Sequence, residues 1–478
     1  MGLALASGAC VDGSPTFDTN DGSSSGASSS TGPIVEDVTG PPPPPETTGT
    51  TSPGTTTVAT TPVDTTATEG SSTGVPGCEG DCPEHPLDVV FVIDNSATMG
   101  NPQRRLALAA EALLDQLALL EASHGVVLDL HLMVTTTDFG NPLCTPFQPA
   151  GYEPARGAPI YTPCTDRLQD FTSITGSSTV PEACTDACPL GLGPTDPYVA
   201  VVGGEDNVPA GTALQALQCL LPQGINGCGF ESSLENMLQA LNPSAAWNAG
   251  PAPFLRSGAD LAIVLLTDEG DCSVQDYSVM EDPAFMNVNP DTGAPQATSA
   301  VCWNAGVSCD GPDGMGVYTN CVSNGTQGLQ PTSRYIDYLL GELVGSQGKD
   351  VMMLTIVGVP GVVQHSLEPP FEPTVGGVAD LVIHDWVDGP IPGGEITPDE
   401  WAMGVTAADK TFALGIGPGC TGLSMGGPIT QGQPPPRIRE VCEALDEQGG
   451  VHCCMESVCD DDLGPSMTCL RGMIETAI

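Results

Sequence analysis

A continuous apolar run, Leu87-Asp-Val-Val-Phe-Val-Ile93, ends directly at the polar segment Asp94-Asn-Ser-Ala-Thr98. An apolar run without polar alternation is typical of a strand that is buried on both faces of a parallel sheet. Residues 104–123 then repeat apolar side chains at helical spacing, and residues 126–136 form a second largely apolar run. The sequence therefore predicts a β-α-β unit that begins at Leu87.

Strand and helix patterns continue to alternate towards the C-terminus. Further strands are expected at 261–267, 351–357 and 451–458, and helices at 234–241, 335–344, 436–448 and 463–474. Strands separated by helices in this order predict an α/β fold with a doubly wound, mainly parallel, Rossmann-like sheet. Ligands of such sheets bind beyond the carboxyl ends of the strands.

Three long segments rich in Cys, Pro and Gly separate these patterns. They cover residues 139–227, 272–330 and 360–433, and each is longer than a simple connection between two elements. We interpret them as loop insertions stapled by disulfides. Residues 86–478 are therefore expected to form one α/β domain with insertions.

The N-terminal residues have a different composition. Residues 11–77 are mainly Ser, Thr, Gly, Pro and Asp, which bury too little apolar surface to offset the entropy of ordering, so a disordered stalk is expected. Residues 1–10 end in Leu-Ala-Ser-Gly-Ala-Cys10, which resembles the end of a bacterial lipoprotein signal. Cys10 would then be a lipid anchor, with an ordinary tail cysteine as the alternative. Cys78 and Cys82 are expected to mark the first disulfide of the folded region.

Cysteine content and charge limit the compartment and the partners. Nineteen cysteines are more than a reducing compartment normally permits, so export is expected. The chain has 11 basic and 59 acidic residues, a formal charge of -48, which makes nucleic acid and anionic lipid surfaces poor partners. Cations, basic surfaces and ligands presented through a bound metal remain, as does a merely solubilising acidic surface. No apolar run has the length of a transmembrane helix.

Two polar segments, 94–98 and 267–269, each follow a predicted strand and so share the carboxyl edge of the sheet. Here the sequence resembles the von Willebrand factor type A (VWA) family, whose metal-ion-dependent adhesion site combines an Asp-x-Ser-x-Ser loop, a Thr from a second loop and an Asp from a third. Asp94, Ser96 and Thr98 match the first loop, with Thr in the last position, and Asp268 matches the third. Oxygen ligands of this kind suit a hard divalent cation such as Mg, Mn or Ca.

The resemblance implies a binding or adhesion module rather than an enzyme. In this family, an acidic side chain of a protein partner completes the coordination of the ion. The expected location is the outer membrane or cell surface, as a lipoprotein attached only through Cys10, or otherwise the periplasm or the extracellular space. The alternative is a structural envelope protein whose metal site is idle or purely structural.

The second loop departs from the family pattern. Glu231 stands where Thr would fall, just before the helix expected near residue 234, and we take it as the replacement ligand. Thr212, in Ala-Gly-Thr-Ala-Leu, is the second choice, and Ser232 or Ser233 could also donate a hydroxyl. Three carboxylates would over-neutralise a divalent ion and weaken its attraction for a partner's carboxylate. The ion would then mainly order the loops, and the insertions would recognise the partner.

A serine hydrolase is a distant alternative. Gly422-Leu-Ser424-Met-Gly426 fits the Gly-x-Ser-x-Gly pattern, and His452 follows it in the order that a catalytic triad needs. A nucleophile elbow requires a strand directly before the serine and a helix directly after it. The Pro/Gly-rich surroundings of Ser424 predict a turn instead.

The cysteines near the predicted metal site suggest one specific disulfide. Cys228 precedes Glu231 by three residues and Cys272 follows Asp268 by four, so a bridge between the two cysteines is a hypothesis. Disulfides rather than metal thiolates are expected at the closely spaced pairs Cys184/Cys188 and Cys453/Cys454.

Overall fold

The computed structural model describes residues 82–188, 190–422 and 430–478. The proposed anchor Cys10, the 11–77 stalk, Cys78 and Ser424 lie outside the described residues.

A seven-stranded sheet forms the centre of the described chain, in the order β7-β6-β5-β1-β2-β3-β4. Its strands are β1 (Glu84–Ile93), β2 (Val127–Thr136), β3 (Val199–Val202), β4 (Glu205–Asp206), β5 (Asp260–Leu266), β6 (Val351–Val357) and β7 (Cys453–Ser457). The five strands from β7 to β2 run parallel, and β3 and β4 add an antiparallel hairpin at one edge. The predicted α/β fold with a mainly parallel sheet is confirmed.

Strand β1 lies in the middle of the sheet because both of its faces are apolar. Leu87, Phe91 and Ile93 pack into a core on one face, together with α1 (Gly100–His124). Val90 and Val92 pack into a second core on the opposite face. Every side chain from Leu87 to Ile93 is fully or almost fully buried, including that of Asp88. The uninterrupted apolar run thus follows from helices that cover the sheet on both sides.

The helices on the two faces follow the predicted alternation. The first face also carries α3 (Ala213–Leu220) and α10 (Gly464–Ala477), and the second carries α4 (Ser233–Ala240), α6 (Ser333–Ile336) and α9 (Pro436–Ala444). Helix α6 continues as a π-helix over Asp337–Ser346. The remaining helices are α2 (Glu182–Thr185), α5 (Ala300–Gly306), α7 (Pro398–Ala402) and α8 (Ala407–Leu414), with 3-10 turns at Cys164–Phe171, Tyr277–Glu281, Gly377–Asp380 and Leu445–Gln448.

The 139–227 segment contributes more to the sheet than its sequence indicates. It supplies both strands of the β3-β4 hairpin as well as α3. Strand β3 has only four residues and β4 only two, so neither gives a periodic signal of useful length. Helix α3 does begin with a recognisable capping box, in which the Thr212 side chain accepts from the backbone N–H of Gln215.

Short antiparallel strands occupy the other long segments. They pair Asn287–Val288 with Pro295–Gln296, Val317–Ser323 with both Val307–Asp310 and Ile383–His384, Gln364–His365 with Pro373–Val375, and Cys420–Gly422 with Thr430–Gly432. No helix in the described ranges is long and apolar enough to cross a lipid bilayer.

Disulfides join cysteines throughout the described chain. The eight bridges are Cys144–Cys228, Cys164–Cys184, Cys188–Cys219, Cys272–Cys302, Cys309–Cys321, Cys420–Cys459, Cys442–Cys453 and Cys454–Cys469, and Cys82 is disulfide-bonded as well. This number of bridges fits an oxidising, extracellular-type environment.

The hypothesis of a Cys228–Cys272 bridge is wrong. Cys228 pairs with Cys144 and Cys272 pairs with Cys302, so each cysteine fastens its own long segment to the edge of the sheet. The closely spaced cysteines at 184/188 and 453/454 are all in disulfides, as expected, and each bonds to a more distant partner.

Candidate metal centre

The polar segments after β1 and β5 lie side by side at the carboxyl edge of the sheet. The N–H of Asp94 donates to the carbonyl of Leu266 at 2.9 Å, and the N–H of Thr267 donates to the carbonyl of Ile356 at 3.1 Å. The sheet hydrogen bonding therefore continues one residue beyond each strand. Both residues are held by the sheet rather than by a mobile loop, which fixes the positions of their side chains.

The first loop arranges its oxygens around the carboxylate of Asp94. This side chain is fully buried, and its Oδ1 accepts from the N–H of Ser96 at 2.7 Å. Its Oδ2 accepts from the hydroxyl of Thr267 at 2.5 Å. The hydroxyl oxygens of Ser96 and Thr98 lie 3.5 Å apart, and Thr98 is exposed. The alternate positions of the loop thus place the hydroxyls of Ser96 and Thr98 next to each other.

Asp268 lies against this loop. A hydrogen bond with the side chain of Thr98 lowers the pKa of Asp268, but burial and the nearby charge of Asp94 raise that pKa to about 8. Within the described ranges, its Oδ1 is buried and has no hydrogen-bond partner. The carbonyl of Asp268 accepts from the N–H of Gln433 at 2.8 Å, which holds the third loop in place.

Glu231 approaches the same carboxylates from the second loop. Its side chain is completely buried, and its Oε2 accepts a hydrogen bond from the hydroxyl of Thr137. Its Oε1 is buried without a partner in the described part of the chain. Burial, followed by the charges of Asp94 and Glu269, raises the pKa of Glu231 well above its ordinary value. Glu231 therefore faces other acidic groups rather than a basic partner.

Two of the other second-loop candidates, Thr212 and Ser232, make hydrogen bonds elsewhere. Thr212 is exposed and caps α3, where its hydroxyl accepts from the N–H of Gln215 at 3.3 Å. Ser232 donates its hydroxyl to the carbonyl of Cys272 at 3.0 Å. Ser233 is buried, and its hydroxyl has no partner among the described residues. These positions favour Glu231 over Thr212 as the second-loop group.

The donor set fits a hard divalent cation in its chemistry and its charge. Asp268 and Glu231 each keep one buried carboxylate oxygen without a hydrogen bond, and an unsatisfied buried oxyanion is costly without a compensating cation. The guanidinium of Arg105 attracts Asp268, but it donates its hydrogen bonds to the carbonyls of Val458 and Asp460. A divalent ion bound by these oxygens would supply the missing positive charge.

The carboxylates of Asp94, Glu231 and Asp268 are spaced more widely than the ligands of a bound metal ion would be. In the described ranges, Cys454, Glu456 and Cys469 are the group of three Asp, Glu, His or Cys side chains whose ligand atoms lie within 4.8 Å of one another. Those two sulfurs are bonded to each other, so they are not thiolates. An ion shared by Asp94, Glu231 and Asp268 would therefore draw their carboxylates closer together.

A buried glutamine connects the first loop to the neighbouring segment. Nε2 of Gln103 donates to the carbonyls of Asp94 at 2.7 Å and Gly224 at 2.8 Å. Its Oε1 accepts from the N–H groups of Gln223 at 2.9 Å and Gly224 at 3.1 Å. All four bonds fix the backbone around the candidate site. A single glutamine in a helical pattern gives no sequence signal for this role.

Asp138 is a further buried acid at this edge that the sequence did not single out. Its Oδ2 accepts from the hydroxyl of Tyr152 at 2.7 Å, and its Oδ1 accepts from the N–H of Gly140 at 2.7 Å. The Tyr152 oxygen in turn accepts from Nδ2 of Asn95 at 3.2 Å. Because both oxygens of Asp138 have donors, it braces the first loop instead of offering free ligand oxygens.

Of the alternative hydrolase segment and its histidine, Gly422 and His452 are described, and they lie near opposite ends of β7. His452 directly precedes β7. Gly422, two residues before Ser424, packs beyond the other end of that strand, where a Cβ on Gly422 would lie 2.6 Å from the carbonyl oxygen of Cys459. The two ends of β7 therefore separate His452 from the start of the Gly-x-Ser-x-Gly segment.

Searches of protein-family models and of curated proteins found no match for this chain. Its function is therefore argued from the geometry and the chemistry of the site.

Proposed function

We propose that residues 86–478 form a VWA-type binding module that holds Mg, Mn or Ca at the carboxyl edge of its sheet and binds a protein partner there. The observation that carries the proposal is that three buried carboxylates from three loops lie near enough for the charge of Asp94 to raise the pKa values of Glu231 and Asp268. Two of them keep oxygens without hydrogen bonds, and no described basic side chain donates to either oxygen. The hydroxyls of Ser96 and Thr98 add neutral oxygens to the same set.

Glu231 gives this site a different balance from the family pattern. A bound divalent cation would offset the charges of Asp94, Glu231 and Asp268 and tie their loops together. Because the carboxylates exceed the charge of one such ion, the ion attracts an acidic partner less strongly than a site with a neutral second ligand. We infer that the ion mainly orders the edge and that the cysteine-rich insertions contribute most of the contacts with the partner.

Calorimetry on the full chain tests the metal site. Titration with Mg²⁺, Mn²⁺ and Ca²⁺ is expected to show one site, and Glu231→Ala is expected to change its affinity. An unchanged affinity removes Glu231 from the site. Glu235→Gln is a suitable control, because Glu235 is buried but its carboxylate already accepts from Arg334 and Tyr335.

The alternative is a structural envelope protein with an idle site. Its signature is a melting temperature that ignores all three ions, since a ligand that binds the native state must raise its stability. The proposed lipid anchor is a separate question. Incorporation of labelled palmitate into the wild-type chain, but not into Cys10→Ala, would support it.

A further inference from the structure

Arg156 differs from every other basic residue in the described chain. Of the 11 Lys and Arg side chains, eight have a carboxylate within 4.0 Å. Arg105 and Lys349 lack one but are buried, and they donate to backbone carbonyls. Among the described residues, Arg156 alone is both exposed and without such an ion pair. In a chain with 59 acidic residues, an exposed arginine without an ion pair is unexpected.

The backbone of Arg156 is held in an unfavourable conformation. Its φ is 51°, in the left-handed region that side chains other than Gly and Asn rarely adopt. Such strain persists where the surrounding structure imposes it, and it is concentrated at functional sites. The guanidinium lies over Gly140, where a Cβ on the glycine would lie 2.9 Å from Nη2 of Arg156.

The segment that carries Arg156 is hydrogen-bonded to the carboxyl edge of the sheet, where the candidate metal site lies. The N–H of Arg156 donates to the carbonyl of Asp138 at 3.2 Å, and the N–H of Ile160 donates to the carbonyl of Val134 at 2.8 Å. The segment therefore runs antiparallel along the carboxyl end of β2. Nε of Arg156 donates to the carbonyl of Phe139 at 3.2 Å, which fixes the side chain and leaves its Nη groups available.

A chain of contacts links Arg156 to the first loop of the candidate site. Asp138, whose carbonyl accepts from Arg156, accepts the hydroxyl of Tyr152 through its carboxylate. Tyr152 accepts from Asn95, the residue that follows Asp94. Burial and the charge of Asp138 raise the pKa of Tyr277, and the nearby charge of Arg156 partly opposes that rise; the Tyr277 side chain is partly exposed. The guanidinium thus stands at the rim of the metal edge beside aromatic side chains.

We propose that Arg156 is an anion-recognition residue that binds a carboxylate of an acidic segment of the partner protein, next to the metal site. This inference rests on the proposed function, because it names the chemistry of the partner that meets the same edge. An arginine fork matches a carboxylate with two parallel hydrogen bonds. At physiological salt the field of carboxylates more than about 8 Å away is largely screened, so a short acidic segment can contact Arg156 although the chain's overall negative charge disfavours extended polyanions.

The test measures the binding of a short fluorescent peptide of four glutamates by anisotropy, at 0.15 M salt with saturating Mg²⁺. Wild-type protein is expected to bind it. Arg156→Asn should weaken the affinity by about three- to tenfold, the usual range for one partly exposed charged contact. Asn adopts the left-handed region readily, so this variant should melt no lower than wild type. Arg104→Gln is the matched control, because Arg104 is exposed but already paired with Asp186 at 3.3 Å.

Each outcome decides the question. Equal weakening by Arg156→Asn and Arg104→Gln, or no weakening by either, overturns the role of Arg156. If calorimetry shows Mg²⁺ binding but wild-type protein does not bind the glutamate peptide, the inference fails and the proposed metal site stands. If Mg²⁺ does not bind at all, the proposed function fails, and the inference falls with it. If the glutamate peptide binds equally well in EDTA, its binding does not depend on the metal site, and this result contradicts the inference that Arg156 acts next to that site.

Discussion

The substitution Asp268→Asn should stabilise the metal-free protein and remove its response to metal. Burial and the charge of Asp94 raise the pKa of Asp268 to about 8 from an ordinary value of 3.8. Between pH 4 and pH 8 the native state holds a proton that the unfolded chain releases, so the free energy of unfolding falls as pH rises. Because pH 7 lies about three pH units above the pKa of Asp268 in the unfolded chain, this carboxyl lowers the free energy of unfolding at pH 7 by roughly 4 kcal/mol.

Replacing the carboxyl by an amide removes this cost. In EDTA at pH 7, Asp268→Asn is expected to unfold with a free energy up to roughly 4 kcal/mol above that of wild type. The variant should also lack the contribution of Asp268 that lowers the free energy of unfolding between pH 4 and pH 8. With metal at about 100 times its dissociation constant, wild type should gain about 2.7 kcal/mol, whereas the variant should gain little. The difference in the free energy of unfolding between Asp268→Asn and wild type is therefore expected to be smaller in metal than in EDTA, or to change sign.

Urea denaturation without reducing agent measures both conditions. Asp271→Asn is the matched control, because Asp271 is equally buried but has its own cation, with Nε of Arg437 at 3.0 Å. Breaking that pair should destabilise the protein by about 3–5 kcal/mol in EDTA and in metal alike, and the metal response should survive. The reasoning is refuted if Asp268→Asn is less stable than wild type in EDTA, or if its gain with metal equals that of wild type.

Three further changes probe the site and the sheet. Glu231→Gln should lower metal affinity about tenfold, as expected for a lost charged ligand, whereas Glu235→Gln, in helix α4 just after the second loop, should leave it unchanged, as calorimetry will show. Thr267→Val removes the buried hydroxyl that donates to Asp94, and urea denaturation in EDTA should show a loss of about 1–3 kcal/mol; an unchanged midpoint would contradict this. Burial lowers the pKa of His131 to about 4 from 6.5, so the contribution of His131 to the free energy of unfolding should rise with pH across that interval and oppose the contribution of Asp268. His131→Gln should lose this rise of roughly 3 kcal/mol, and parallel pH profiles would refute the assignment.

The sheet could be predicted because its central strands are buried on both faces. β1 and β6 leave no polar alternation in the sequence, and the runs at 87–93 and 351–357 match their buried parts closely. The β3-β4 hairpin could not be found in the same way, since its strands have four and two residues and lie among loops. Its pairing depends on contacts with β2 that are distant along the chain.

The candidate site was predictable where residues follow strands and unpredictable where it depends on folding at a distance. Asp94 and Asp268 follow apolar runs, so their place at the carboxyl edge could be deduced from the sequence. Asp138 also follows a strand, but only the structure shows that Tyr152 and two N–H groups saturate its carboxylate. Disulfide pairing was the clearest error, because sequence proximity to the site could not reveal that Cys228 reaches back to Cys144.

A crystal of the full chain soaked in Mn²⁺ tests the central claim most directly, through anomalous scattering at the manganese edge. The predicted result is one strong peak at the carboxyl edge of the sheet, within about 2.5 Å of oxygens from the first and third loops, including Ser96 and Asp268. The carboxylates of Asp94 and Glu231 should lie closer to this peak than they lie to each other without metal. An edge without a peak at a saturating Mn²⁺ concentration, with Asp268 and Glu231 unmoved, would contradict the account.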